Sequence, residues 1–130
     1  MQQAEAHGLA GQVIAAGSTT DVAAFHAAAD VFVLPTQYEA FCLAILEALG
    51  SGLPVITSDL PGARDAIQSG VNGLLLEDPL NGEELAAAVQ RLTEAVARER
   101  LSKAAPESVR QYQWPVVLGA YERVLESSRN

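Results

Sequence analysis

The chain has 130 residues, 49% hydrophobic and 18% charged, which suits one globular domain able to bury a core. Its net charge of -8 argues against nucleic acid or an anionic membrane as partner, since both need clustered Lys and Arg. A small anion remains open, because backbone N–H groups at a helix start bind one without net positive charge.

One cysteine, Cys42, cannot form an internal disulfide and indicates a reducing compartment, so a cytoplasmic location is expected. The N-terminal run "MQQAEAHGLAGQ" lacks the basic and apolar regions of a signal peptide. No apolar run reaches the roughly 18 residues of a transmembrane helix, so no transmembrane segment is expected.

In chain order, "VIAAG" (13–17) reads as a short strand closed by Gly17. A helix follows to Ala29, with Thr20 or Asp21 as N-cap. "DVFVLP" (30–35), uninterrupted and stopped by Pro35, reads as a strand buried on both faces. A helix over 41–50 ends at Gly50 and Gly52, and "LPVITS" (53–58) is the next buried strand. "PGARDAIQSG" (61–70) is a short helix and "NGLLLED" (72–78) a strand. One helix is expected over 81–100, capped by Asn81, with acids in its first turn and Arg98 and Arg100 at its end, the order that suits the helix dipole. Pro106 interrupts, and a terminal helix starts near Pro115 with Trp114 as its anchor.

The strand–helix alternation predicts an α/β fold: a three-layer, Rossmann-like, mostly parallel sheet with helices on both faces. Ligands of open α/β sheets bind beyond the carboxyl ends of the strands. The segments expected there are 17–21, 35–42, 57–64 and 77–82.

The second of these leads into "QYEAFCLAILEALGSGLPV" (37–55), where Glu39 and Glu47 flank seven uncharged residues. If the helix starts near Phe41, the free N–H groups of Phe41, Cys42 and Leu43 point into the crevice and favour a phosphate. Glu39 then lies in the loop before them, and Glu47 about 12 Å further along the axis at 1.5 Å of rise per residue. A nucleotide diphosphate sugar has a matching layout, with a hydroxyl-rich ring at each end and charge in the middle; a carboxylate suits a vicinal diol. On spacing alone the plainer reading, a solvated loop acid and a helix-surface acid, is favoured. Glu47 is the stronger candidate, because its helix reads as apolar on nearly every side and a buried acid needs a partner.

The ordered motifs in "ADVFVLPTQYEAFCLAILEALGSGLPVITSDLPGARDAIQSGVNGLLLEDP" (29–79) are P-[ST]-x-x-E, Glu-x7-Glu, G-x-P-V-I, G-x-x-[DE] and N-G-L-L. In this combination the chain resembles the donor-binding, C-terminal half of the retaining GT-B glycosyltransferases. More narrowly, it is similar to the large group-1 family that includes sucrose synthases and bacterial mannosyl transferases. The resemblance extends over nearly the whole chain. It implies that Glu39 hydrogen-bonds the donor sugar near the reacting carbon and counts as the catalytic candidate. It implies that the backbone at Phe41, Cys42 and Leu43 holds the diphosphate, and that Glu47 binds the ribose hydroxyls. The 17–21 loop, opening with Gly17 and Ser18, would border the nucleobase by its position in the family. The implied partners are a nucleotide sugar as donor substrate and an acceptor glycan, lipid or small molecule. The implied chemistry is transfer to an acceptor hydroxyl with retention, usually without metal, and no other cofactor is expected.

Two departures stand out: Ala40 and Cys42 occupy positions that are usually glycine in the family, so donor contacts there are expected to be altered. Cys42 reads as a small space-filler, Asp65 and His26 as structural, His7 as part of a frayed N-terminus, and Arg64 as a surface residue. The resemblance also makes residues 1–130 a partial C-terminal domain, without its first two βα units and without the N-terminal acceptor domain. Such a fragment is expected to be inactive alone, and the full-length protein could sit peripherally at the inner face of the membrane. The strand at 13–17 would then close up against 31–34, pair with another chain, or leave the sheet; an exposed edge favours a homodimer. The alternatives are a sugar-nucleotide epimerase domain and a catalytically silent nucleotide-binding or interaction domain.

Overall fold

β-branched and large apolar residues dominate the segments that form the sheet. In the computed structural model, which describes residues 2–128, these are β1 (Phe32–Leu34), β2 (Val55–Ser58) and β3 (Gly73–Leu76). They form one parallel sheet in the order β1-β2-β3, with Phe32 opposite Val55 and Val55 opposite Gly73. Every residue of the central β2 is buried.

Successive residues of β2 serve opposite faces, as strand geometry requires. Val55 joins Ile45, Ala48 and Leu49 of α3 (Leu43–Gly50), Ala63 of α4 (Pro61–Arg64), and Ala105 of α6 (Ala95–Ser108) in one cluster. Ile56 joins Leu74, Leu76, Leu92 of α5 (Gly82–Thr93) and Leu101 of α6 in the other. The sheet therefore has helices on both faces, as the alternation predicts. The remaining elements are α1 (Gln2–Ala6), α2 (Val22–Ala28), a 3₁₀ turn at Arg110–Tyr112 and α7 (Trp114–Ser127).

The strand expected over 13–17 is not formed: the segment is irregular and exposed throughout. Of the placements open to it, it leaves the sheet. A five-residue run containing two alanines offers little side-chain burial, and without a ladder partner its N–H and C=O groups are better hydrated. β1 consequently has an unpaired outer edge.

The helix expected over 81–100 is two helices, broken at Glu94, whose ψ of 114° is not helical. Asn81 caps α5 as expected, its Oδ1 accepting from the N–H groups of Glu83 and Glu84 at 3.1 and 3.2 Å. The basic residue at the helix end acts across the break: Arg98 Nη1 donates to the carbonyls of Leu92 and Thr93. Pro106 does not interrupt α6 but lies inside its last turn, where its missing N–H leaves the carbonyl of Ser102 without a helical donor. Trp114 does not anchor α7; it is 76% exposed, and α7 has no buried residue.

Candidate functional site

Short loops leave the carboxyl ends of the strands, and side-chain hydroxyls tie them together. Thr57 Oγ1 donates to the carbonyl of Leu34 at 2.8 Å, and Ser58 Oγ donates to that of Thr36. The N–H of Asp59 donates to Leu76 O at 2.8 Å. The β1–α3 and β2–α4 loops then meet at Gly62. A Cβ placed on Gly62 would approach the carbonyl carbon of Ala40 to 2.8 Å and Cα of Phe41 to 3.1 Å, so the site tolerates only glycine without a shift of backbone. This contact fixes the loop that carries Glu39, which is half-buried.

The helix start lies two residues later than expected. Cys42 is the N-cap, extended at φ -96° and ψ 104°, and no side chain caps the helix. The N–H groups of Leu43 and Ala44, rather than those of Phe41 and Cys42, thus face outward from the first turn without an intrahelical acceptor. No residue other than glycine has positive φ among the described residues, so Ala40 and Cys42 are accommodated without backbone strain. Cys42 is half-buried against the α3–α4 cluster, consistent with a space-filler.

Glu47 is not buried. It is exposed on α3 and has no ion-pair partner among the described residues, because only Ile45, Ala48 and Leu49 of this helix turn inward. Its apolar neighbours at adjacent positions point in other directions around the axis, which a reading of the linear run misses. Glu47 borders two cavities. One, of about 460 Å³, lies between α3 and the start of α2, lined by Thr20, Asp21, Val22, Ala23, His26 and Ser51 besides Glu47. The other, of about 470 Å³, is apolar and runs from Phe41, Leu43 and Leu46 to Tyr112, Trp114 and Val117.

Gly17 and Ser18 lie upstream of the first cavity in the exposed segment, with Gly17 at φ 74°. The wall facing Glu47 is built from Thr20 to Ala23; Thr20 and Asp21 close the 17–21 segment expected at this crevice, and Val22 and Ala23 belong to the helix that follows. Asp21 does cap α2, accepting from Ala24 N at 3.1 Å. His26, read from the sequence as structural, is the one buried side chain of α2 and also borders this cavity.

The remaining crevice segments are occupied by internal bonds. Arg64 grips Asp59 through two hydrogen bonds, Nε to Oδ1 at 2.6 Å and Nη2 to Oδ2 at 2.9 Å. The guanidinium lowers the Asp59 carboxyl below its ordinary value, and the carboxylate raises Arg64. The Glu84 carboxylate accepts from the N–H groups of Glu77 and Asp78 at 2.7 and 3.1 Å, closing the 77–82 turn. Asn72, from the N-G-L-L run, is buried and bridges Gln68 N and Ala66 O, so that motif has a structural use. Asp65 offers its carbonyl to Tyr112 Oη at 2.9 Å. No group of three or more His, Cys, Asp or Glu is placed to hold a metal among the described residues.

The family model described as glycosyl transferases group 1 matches residues 1–108. A GDP-mannose-dependent alpha-mannosyltransferase of Mycolicibacterium smegmatis is 44% identical over 110 residues, covering 80% of this chain and 28% of that protein. Among solved structures, a sucrose-phosphate synthase from Thermosynechococcus elongatus superposes with a TM-score of 0.85 at 29% identity, covering 98% of this chain and 33% of its own. The Anabaena protein HepE, in complex with UDP and glucose, also gives 0.85, at 28% identity, with 97% of this chain and 35% of that chain covered. The chain thus spans under a third of the length of the mannosyltransferase it matches.

Proposed function

The chain belongs to the group 1 glycosyl transferases, and we propose that it is the donor-binding part of an enzyme that transfers a sugar from a nucleotide diphosphate sugar to an acceptor hydroxyl with retention. The observation that carries this reading is the uncapped start of α3, set between the half-buried Glu39 and the exposed Glu47, which has no ion-pair partner among the described residues. In it, Glu47 accepts the ribose hydroxyls and the 460 Å³ cavity beside it takes the nucleoside, with Thr20 to Ala23 as the facing wall. The N–H groups of Leu43 and Ala44, with the backbone at Phe41 and Cys42, hold the diphosphate, and the first-turn dipole favours its charge. Glu39 orients the sugar.

Catalysis follows from placing charge where it develops. As the bond from the anomeric carbon to the diphosphate breaks, negative charge grows on the leaving oxygen, and donors already aimed there stabilise it without reorganisation. The Glu39 carboxylate, held by the Gly62 contact behind its loop, fixes the sugar hydroxyls so that the acceptor oxygen meets the anomeric carbon from the retained face. The acceptor itself is assigned to a domain outside these residues, so this chain alone is expected to turn nothing over.

The test is a titration of the protein that carries this chain with UDP, GDP and ADP. One of the three binds, and Glu47→Ala weakens it by roughly tenfold or more, the loss expected for a charged hydrogen-bond acceptor. Failure of all three to bind would overturn the reading. Ala40 and Cys42 favour a second reading, a catalytically silent nucleotide-binding domain, which predicts the same titration but no turnover in the full-length protein.

A further inference from the structure

We propose that His26 is a positioning residue for the nucleotide cavity: it is the strut that holds the Thr20–Ala23 wall at its distance from Glu47. The inference rests on the donor-site reading of that cavity and adds what keeps the cavity in shape.

α2 has seven residues, and His26 is its one buried side chain; every other residue from Asp21 to Ala29 is exposed. The helix is therefore not held down by an apolar stripe, as a surface helix ordinarily is. What replaces the stripe is one imidazole. Its Nδ1 lies 3.2 Å from Ser51 Oγ, and its ring meets Phe32 of β1 edge-on, with centroids 6.0 Å apart and planes at 89°. Ser51 Oγ in turn donates to the carbonyl of Glu47 at 2.8 Å.

The direction of the first bond is assigned from the last: a hydroxyl has one hydrogen, and with that of Ser51 given to Glu47 O, Ser51 Oγ accepts and His26 Nδ1 donates. The chain of bonds is His26 Nδ1–H to Ser51 Oγ–H to the backbone of Glu47. It links the helix bearing one wall of the cavity to the residue that forms the other.

The ring is also flanked by open space. His26 borders the cavity with Glu47 on one side and, on the other, a second cavity of about 240 Å³ shared with Asp30, Arg98 and Ser102. With cavities on both sides and no second buried residue on α2, loss of this strut frees the wall while leaving both core clusters, which contain no residue of α2, intact.

The experiment compares His26→Phe, His26→Asn and Ser51→Ala in the protein that carries this chain, with UDP, GDP and ADP as probes. His26→Phe keeps an aromatic ring but has no donor; His26→Asn restores an amide N–H near the position of Nδ1. Ser51→Ala removes the acceptor at an exposed position and guards against a His26 variant that fails to fold. The expected result is a rise of about tenfold in the dissociation constant of the bound nucleotide for His26→Phe and Ser51→Ala, the loss of one well-made hydrogen bond and the ordering it provides. Amide exchange over 22–28 speeds up in both, while β2 and β3 exchange as in wild type, and His26→Asn recovers most of the affinity. A dissociation constant within twofold of wild type for Ser51→Ala, or exchange over 22–28 unchanged, overturns the inference while the donor-site reading stands. If wild type binds none of the three nucleotides, the donor-site reading falls and takes this inference with it.

Discussion

The backbone of Ala40 packs directly against Gly62, in the space where any other residue would carry a Cβ. Two loops that are 22 positions apart in sequence are thereby locked at the carboxyl edge of the sheet, and Glu39 is carried on one of them. Gly62→Ala must push the 36–42 loop outward, because the obstructing atoms are main chain. A stability loss of about 1–3 kcal/mol is expected, as for other forced insertions into a packed site. Chemical denaturation measures it, and an unchanged midpoint would mean that the loop moves without cost.

Glu39 and Glu47 are assigned to opposite ends of the donor, so their variants separate. Glu39→Gln in the full-length protein keeps nucleotide affinity within about twofold and lowers kcat by roughly tenfold to a hundredfold, the range of a charge-assisted bond. Isothermal titration with nucleotide, set beside initial-rate kinetics, reads the two effects. Equal losses in affinity and rate would contradict the division.

The Asp59–Arg64 pair gives a pH signature. The Asp59 carboxyl is lowered from 3.8 chiefly by its hydrogen bond to Arg64. A depressed acid contributes stability that is present above its unfolded pKa and lost as pH falls through its folded value. Arg64→Ala should therefore melt slightly below wild type at pH 7, with the gap closing below about pH 4. Arg64 is exposed and Asp59 half-buried, so the pair is partly solvated, and the gap is small and shrinks with added salt. Melting curves across pH check it; a gap that widens in acid would refute the assignment.

Burial separates two large apolar residues that look alike in the sequence. Leu49 is 0% exposed and Trp114 76%. Leu49→Ala is expected to cost about 2–5 kcal/mol through lost contacts and the cavity left behind. Trp114→Ala should stay within about 0.5 kcal/mol, as for a surface position. Equilibrium unfolding of both variants tests the contrast.

Features that depend on neighbours close in the chain were readable from the sequence. Asn81 and Asp21 cap their helices because an N-cap needs only a side-chain oxygen and an N–H two or three residues on. The runs at 30–35, 53–58 and 72–78 each contain a strand because β-branched and large apolar residues suit a sheet, but the first is not buried on both faces as expected: β1 lies at the sheet edge and its Val33 is exposed. The group-1 motifs are legible for the same reason, since each is a short ordered run of residues at fixed spacing.

What the tertiary structure decided depends on partners far away. A strand exists only if another strand pairs with it, so "VIAAG" stays irregular beside a sheet in which it has no ladder. Glu47 faces water, Trp114 anchors nothing, and the helix after Asn81 breaks at Glu94, because burial is a property of packed elements and not of a run of apolar letters. The same holds for His26, read as structural from the sequence, whose partners Ser51 and Phe32 only folding brings to it. Composition and spacing determined the three strands of the sheet, the helix caps and the family; the meeting of α2, α3 and β1 determined which side chains surround the cavity. The α2–α3 part of that meeting rests on the His26–Ser51 contact across 25 residues, which no local pattern encodes.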